Sequence, residues 1–161
     1  MFGILLQIAA AWGYTHVLEY VLHRYVLHGR GRKRKSLLSF HWRDHHRNAR
    51  KNQMREHFCK REALSVVLLL LAHAPLAYFF PPFYAALWIS ALHYIYAHNR
   101  SHMDVEWGMK HMPWHYAHHM GRNQNANWGV RSAWLDKLFG SSVDMSGDPC
   151  DYSQERDTLS C

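Results

Sequence analysis

Cysteine is scarce in this 161-residue chain: Cys59, Cys150 and Cys161 are the only three, with no paired spacing and no CxxC. That excludes a disulfide framework and makes a thiolate metal site or dithiol redox motif a poor reading. Charge is missing from two long stretches. Residues 2–22 contain no Lys or Arg, and residues 63–97 contain no formal charge at all. No basic stretch precedes the first of these and no small-residue cleavage site follows it, so it does not read as a signal peptide. Internal repeats of 20–50 residues are absent, as is low-complexity sequence beyond one basic run at 30–35. The mean hydropathy of −0.37, taken alone, argues against a membrane protein. It is an average over blocks that are either very apolar or very basic.

The apolar blocks set the expected architecture. As a helix, residues 2–22 would be about 31 Å long, enough for a hydrocarbon core of about 30 Å. Pro81-Pro82 divides the second block into helices expected at 62–79 and 83–103. Residues 24–61 hold 13 of the 19 Lys and Arg residues, and the other six follow His98. Excess basic charge marks the cytoplasmic side of a membrane, which places both basic stretches there. The fold class expected is all-α: about three apolar helices in the membrane, as full spans or a re-entrant hairpin, under a cytoplasmic histidine-rich helical cap. A short helix is expected to open at Met112-Pro113-Trp114, and a short apolar segment at 133–139. One domain, 1–142, should precede a polar, acidic tail, 143–161, that is disordered or loosely attached.

Histidine is what the chain has in excess, with 15 residues. Ten fall into four groups: His23 and His28; His41, His45 and His46; His98 and His102; His115, His118 and His119. All four lie on the side that the basic charge assigns to the cytoplasm. Residues three or four apart share a helical face, so His98 with His102, His41 with His45, and His115 with His118 or His119 can reach one ion. The adjacent pairs His45-His46 and His118-His119 point about 100° apart and can each supply one ligand to each of two ions. Ten imidazoles are too many for one ion and suit two; the residues alone do not choose among iron, zinc, copper and nickel. His57 and His73 read as ordinary polar residues, and His93 and His111 are left open.

These groups resemble the membrane-bound fatty acid hydroxylase superfamily, which includes sterol desaturases and carotenoid hydroxylases. The resemblance rests on HRYVLHG (23–29), HWRDHH (41–46), HNRSH (98–102), HYAHH (115–119) and NWGVRSAWLDKLFGS (127–141), and covers about residues 12–142. It implies a di-iron centre, with zinc as a substitute in purified protein, that activates O2 and oxidises an unactivated C–H bond. The ten histidines named above correspond to the family's metal-ligand boxes. Glu19, Asp44, Tyr94 and Asp104 are candidates to orient imidazoles, and Tyr94, Trp114 and Tyr116 to line a pocket. The implied substrate is a membrane lipid such as a fatty acyl chain or sterol. Electrons would come from a separate cytochrome b5, ferredoxin or flavin reductase. The implied setting is a bacterial inner membrane or the endoplasmic reticulum.

Two features depart from the family pattern. Three residues separate His41 from His45 where many members have two, and the chain is short with no fused cytochrome b5 domain. Within the superfamily, the compact size is similar to that of bacterial carotenoid hydroxylases, the alternative reading, whereas the HNRSH and DKLFGS segments resemble more the fatty acid and sterol branch. Outside the enzyme class, a non-catalytic metal- or haem-binding membrane protein would also use histidine pairs. A basic nucleic-acid binder leaves the histidine spacing unexplained, and no nucleic-acid partner is expected.

Overall fold

The computed structural model describes residues 1–33, 35–57 and 59–150. Among them every regular element is helical, and the one β-type pairing is an isolated bridge between Val143 and Pro149. Helix α1 (Phe2–Val21) continues directly into a π-helix, π1 (Leu22–Arg30), while a second, π2 (His41–His46), leads into α2 (Arg47–Lys51). There follow α3 (Lys60–Ala72), α4 (Leu76–Phe79), α5 (Pro81–Met103), α6 (Val105–His111), α7 (Pro113–Met120) and α8 (Trp134–Leu138).

The helix expected at 62–79 is two helices, α3 and α4, and the reason is Pro75. Proline lacks a backbone donor and disfavours helical geometry in the residue before it. The chain therefore leaves α3 at His73, whose Nδ1–H donates to Leu69 O at 2.7 Å. The pair Pro81-Pro82 acts differently. Both residues open α5, where the missing donors cost nothing, so that helix begins before residue 83.

Packing carries the histidine boxes to one end. Ala11 of α1 sits in an apolar cluster with Leu70, Ala86 and Leu87, and four residues later Thr15 Oγ1 meets Ser90 Oγ at 2.7 Å. Contacts that advance together show α1 and α5 running in the same direction, so His23 and His98 leave them at the same end. Contacts along α3 run the other way: Tyr84 Oη donates to Leu70 O, and Tyr94 Oη donates to Glu62. Helix α3 is thus antiparallel to α5, and its N-terminus with the second box lies at the histidine end.

Among the described residues no helix is long and apolar enough to cross a membrane. The outer faces of α1, α3 and α5 are nonetheless apolar: Leu5, Leu64, Leu68, Leu71, Ile89 and Leu92 are each more than half exposed. At the other end of the chain, Asp144 Oδ1 accepts from the backbone N–H groups of Ser146, Gly147 and Asp148, closing a turn. Residues 151–161 of the acidic tail lie outside the described residues.

Candidate metal centre

The two π-helices explain spacings that an α-helix would scatter. His23 and His28 are five residues apart, as are His41 and His46, and an α-helix would turn such pairs about 140° from each other. In a π-helix hydrogen bonds run from i to i+5, which Gly31 N donating to Val26 O at 2.8 Å illustrates. The wider turn brings His23 and His28 together at 4.8 Å between ring centroids, and His41 and His46 at 5.0 Å. In α5 and α7 the ordinary i, i+4 spacing does the same work for His98 with His102 and His115 with His119, at 4.9 and 4.7 Å.

All ten histidines are buried, and eight form two groups of four able to hold a metal ion. One group is His23, His28, His46 and His118; the other is His45, His98, His102 and His119. Each double histidine is divided between them, since adjacent residues of a helix point to different sides. The two remaining residues flank the groups: His41 Nε2 lies 3.1 Å from His23 Nε2, and His115 Nε2 lies 3.3 Å from His102 Nε2. The Nε2 atoms of His28, His46 and His118 form a triangle with edges of 3.0, 3.1 and 3.2 Å.

The protonation pattern suits cations. A carbonyl only accepts, so the Nδ1 atoms of His23, His102 and His118 carry hydrogen and donate to Trp128 O (2.6 Å), Met54 O (2.8 Å) and Ala126 O (2.6 Å). His45 Nδ1 pairs with Glu56, and His98 Nδ1 with Glu62 at 2.7 Å. With the proton on Nδ1, Nε2 presents a lone pair toward its neighbours, where no hydrogen is left to share. Burial, opposed by the bond to Trp128, lowers the pKa of His23 to about 4. Burial first, then repulsion from neighbouring imidazoles, also lowers His28, His41, His46, His115 and His119. His118 is lowered as well, its bond to Ala126 resisting. His45 Nε2 and both ring nitrogens of His119 have no hydrogen-bond partner. Neutral, orphaned imidazole nitrogens are what a transition-metal ion binds. Nitrogens about 2.1 Å from one ion lie about 3.0 Å apart at right angles and about 3.4 Å apart at tetrahedral angles, so the donor set fits.

The acceptor carbonyls of the first group are themselves held. Asn127, at φ 57°, donates to Val143 O at 2.7 Å and accepts from Val143 N at 3.0 Å. Asp136, fully buried, accepts from Trp128 N, Gly129 N and Ser141 Oγ, each at 2.7 Å. Ala126 O and Trp128 O thereby stay aimed at His118 and His23. Gly129 is required by close approach, because a Cβ there would stand 2.1 Å from Ser132 O. Gly129→Ala is expected to lower stability by about 1–3 kcal/mol, read as the midpoint of denaturant unfolding.

The residues expected to orient imidazoles are placed elsewhere, with one exception. Glu19 accepts from Val130 N, Arg131 N and Arg131 Nε; Asp44 pairs with Arg61 at the surface; Asp104 caps α6 by accepting from Trp107 N. Tyr94 stacks on His98 with ring centroids 5.6 Å apart and donates to Glu62 at 2.5 Å. The carboxylates on the imidazoles are Glu56 and Glu62. Glu56 lies within the basic stretch 24–61 and Glu62 directly after it, and that was the available signal. His16, His57, His73, His93 and His111 belong to neither group; His73 accepts from Tyr14 Oη at 2.7 Å, and His93 stacks on Trp12.

A cavity of about 290 Å³ runs between α1, α3 and α5. His23, His41, Glu62 and Tyr94 line one end, Leu18, Leu22, Val66, Leu69 and Leu87 the walls, and Tyr14 and His73 the other end. Nine residues of helix separate Tyr14 from His23, or about 13 Å. Trp114 instead packs beside Ala97, Met112 and Val130, and Tyr116 is not in the lining.

Among the described residues, the fold and site define a helical protein with two buried polyhistidine groups able to hold metal ions. A family model described as fatty acid hydroxylase matches residues 8–141, and the chain belongs to that family. No curated protein and no solved structure matches the chain.

Proposed function

We propose that the protein is a membrane-associated di-iron oxygenase that hydroxylates, or desaturates, a lipid such as a fatty acyl chain or sterol. The observation that carries this reading is the apolar cavity ending on His23 and His41. A lipid chain entering between α1, α3 and α5 would lie with one carbon at the histidines and its length in a dry channel. Bound iron would supply O2 activation and C–H oxidation, which no side chain here can perform. The protein's part is to hold two ions with imidazole nitrogens, fix the protons of His23, His45, His98, His102 and His118 on Nδ1, exclude water with Leu18, Leu22 and Leu69, and orient the substrate.

The exposed apolar faces of α1, α3 and α5 support immersion in lipid, with the histidine end at the cytoplasmic surface, where the basic stretch 24–61 would meet anionic headgroups. The same basic surface suits an acidic electron donor such as cytochrome b5, a ferredoxin or a flavin reductase. A haem carrier is disfavoured, since nitrogens 3.0–3.3 Å apart leave no gap for a macrocycle between axial ligands.

Purified full-length protein should contain two irons per chain and no haem absorption near 400 nm. His118→Ala should reduce that to about one iron. Cells expressing the active protein, compared with His118→Ala, should accumulate a lipid heavier by one oxygen or lighter by two hydrogens. Unchanged iron content in the variant, or identical lipid profiles, would overturn the reading.

A further inference from the structure

The two histidine groups differ in what stands behind them. In the His23–His28–His46–His118 group the Nδ1 hydrogens that have partners go to neutral backbone oxygens, Trp128 O and Ala126 O. In the His45–His98–His102–His119 group two of three go to carboxylates, Glu56 and Glu62, whose side chains are only 15% and 13% exposed. A hydrogen bond from imidazole to a carboxylate is charge-assisted, shifts electron density toward Nε2 and makes it a stronger donor to a cation. Two partly buried negative charges, each one side chain away from the ions, add long-range attraction that a carbonyl does not match.

The groups also face different surroundings. His23, together with the flanking His41, lines the apolar cavity, whereas no histidine of the second group does; only Glu62, behind His98, reaches its wall from that side. The second group opens instead on a polar recess where His102 and Glu56 stand beside Asn48, Asn52 and Arg55. The cavity-facing ion would therefore sit where substrate enters, and the carboxylate-backed ion on the hydrated side.

We infer that Glu56 and Glu62 make the His45–His98–His102–His119 group the tighter, first-filled metal site, leaving the His23–His28–His46–His118 group as the weaker site at the substrate cavity. The inference rests on the two-metal reading above. Glu56 and Glu62 are positioning residues in it, since they act on the ion only through His45 and His98.

The test is an anaerobic titration of metal-free, full-length protein with ferrous iron against a competing chelator, repeated with cobalt(II) for its optical spectrum. Wild type should fill in two steps whose affinities differ by at least about tenfold. Glu56→Gln and Glu62→Gln should each weaken the tighter step by about 10–100-fold and leave the weaker one unchanged. Glutamine keeps an oxygen that accepts the imidazole hydrogen, so the variants remove charge while sparing geometry. The unaffected step in the same titration reports that the variant is folded. His28→Ala should abolish the weaker step alone. Two equal steps in wild type, or Glu variants that weaken both steps alike or only the weaker one, would overturn the inference. Absence of any bound metal in wild type would instead overturn the metal reading beneath it.

Discussion

Arg131→Met is expected to destabilise the protein by about 3–5 kcal/mol, the cost of breaking a buried ion pair from one side. Arg131 is 2% exposed and Glu19 7%, and Arg131 Nε donates to Glu19 Oε2 at 2.6 Å. The guanidinium also donates to Ser90 Oγ at 2.7 Å and Ser90 O at 3.2 Å, tying the segment after Gly129 to both α1 and α5. With methionine in its place the Glu19 carboxylate keeps two backbone donors, Val130 N and Arg131 N, but loses its counter-charge. For a chain of this size the loss corresponds to a fall in Tm of about 10 °C or more.

The double variant Glu19→Gln/Arg131→Met separates charge from contact. Glutamine retains an oxygen for Val130 N and Arg131 N and carries no charge to strand, so most of the lost stability should return. A double variant no more stable than Arg131→Met alone would show that the arginine's bonds to Ser90, rather than its pairing with Glu19, hold the segment. The single variant should also lower metal retention in the His23 group, because the displaced segment carries Trp128 O and Ala126 O.

Much of this site was legible because histidine identity and spacing are local properties. The four boxes, and the division of His45-His46 and His118-His119 between two groups, follow from residue type and the 100° step of a helix. The i, i+5 pairs were harder. Nothing in HRYVLHG or HWRDHH announces a π turn, and on α-helical geometry His41 partners His45 rather than His46. The partners of the imidazoles were hardest, because they are set by tertiary contact. Trp128 O meets His23 across 105 residues and Met54 O meets His102 across 48. Met54 reaches that position through two successive residues of positive φ, Gln53 at 53° and Met54 at 73°, which no residue type there foretells. The acids nearest the boxes in sequence, Asp44 and Asp104, went to a surface ion pair and a helix cap, and Glu62 reached His98 because α3 runs antiparallel to α5. The break in α3 needed only attention to Pro75, which outweighs the apolar run around it.

Metal-free protein is expected to lose stability steeply as pH falls from about 6.5 toward 4. His23 has a folded pKa of about 4 against 6.5 for an unperturbed imidazole, lowered by burial. Between those values the unfolded chain binds a proton that the folded chain refuses, so unfolding takes up protons and stability rises with pH. The contribution of His23 is fully present above about pH 6.5 and is lost as pH drops through the window, about 3 kcal/mol from this group alone. His28, His41, His46, His115, His118 and His119 are lowered in the same sense and deepen the fall. Asp136 works against it: burial raises its pKa, so its effect favours acid. Bound metal should shift the whole transition to lower pH, since protons and the cation compete for the same Nε2 lone pairs. Thermal unfolding of the full-length protein at pH 7.5, 6.5, 5.5 and 4.5, with and without ferrous iron, checks both statements. A Tm independent of pH in the metal-free protein would mean that these imidazoles are already solvated and charged in the folded state, and that the buried donor set described above does not form without its ions.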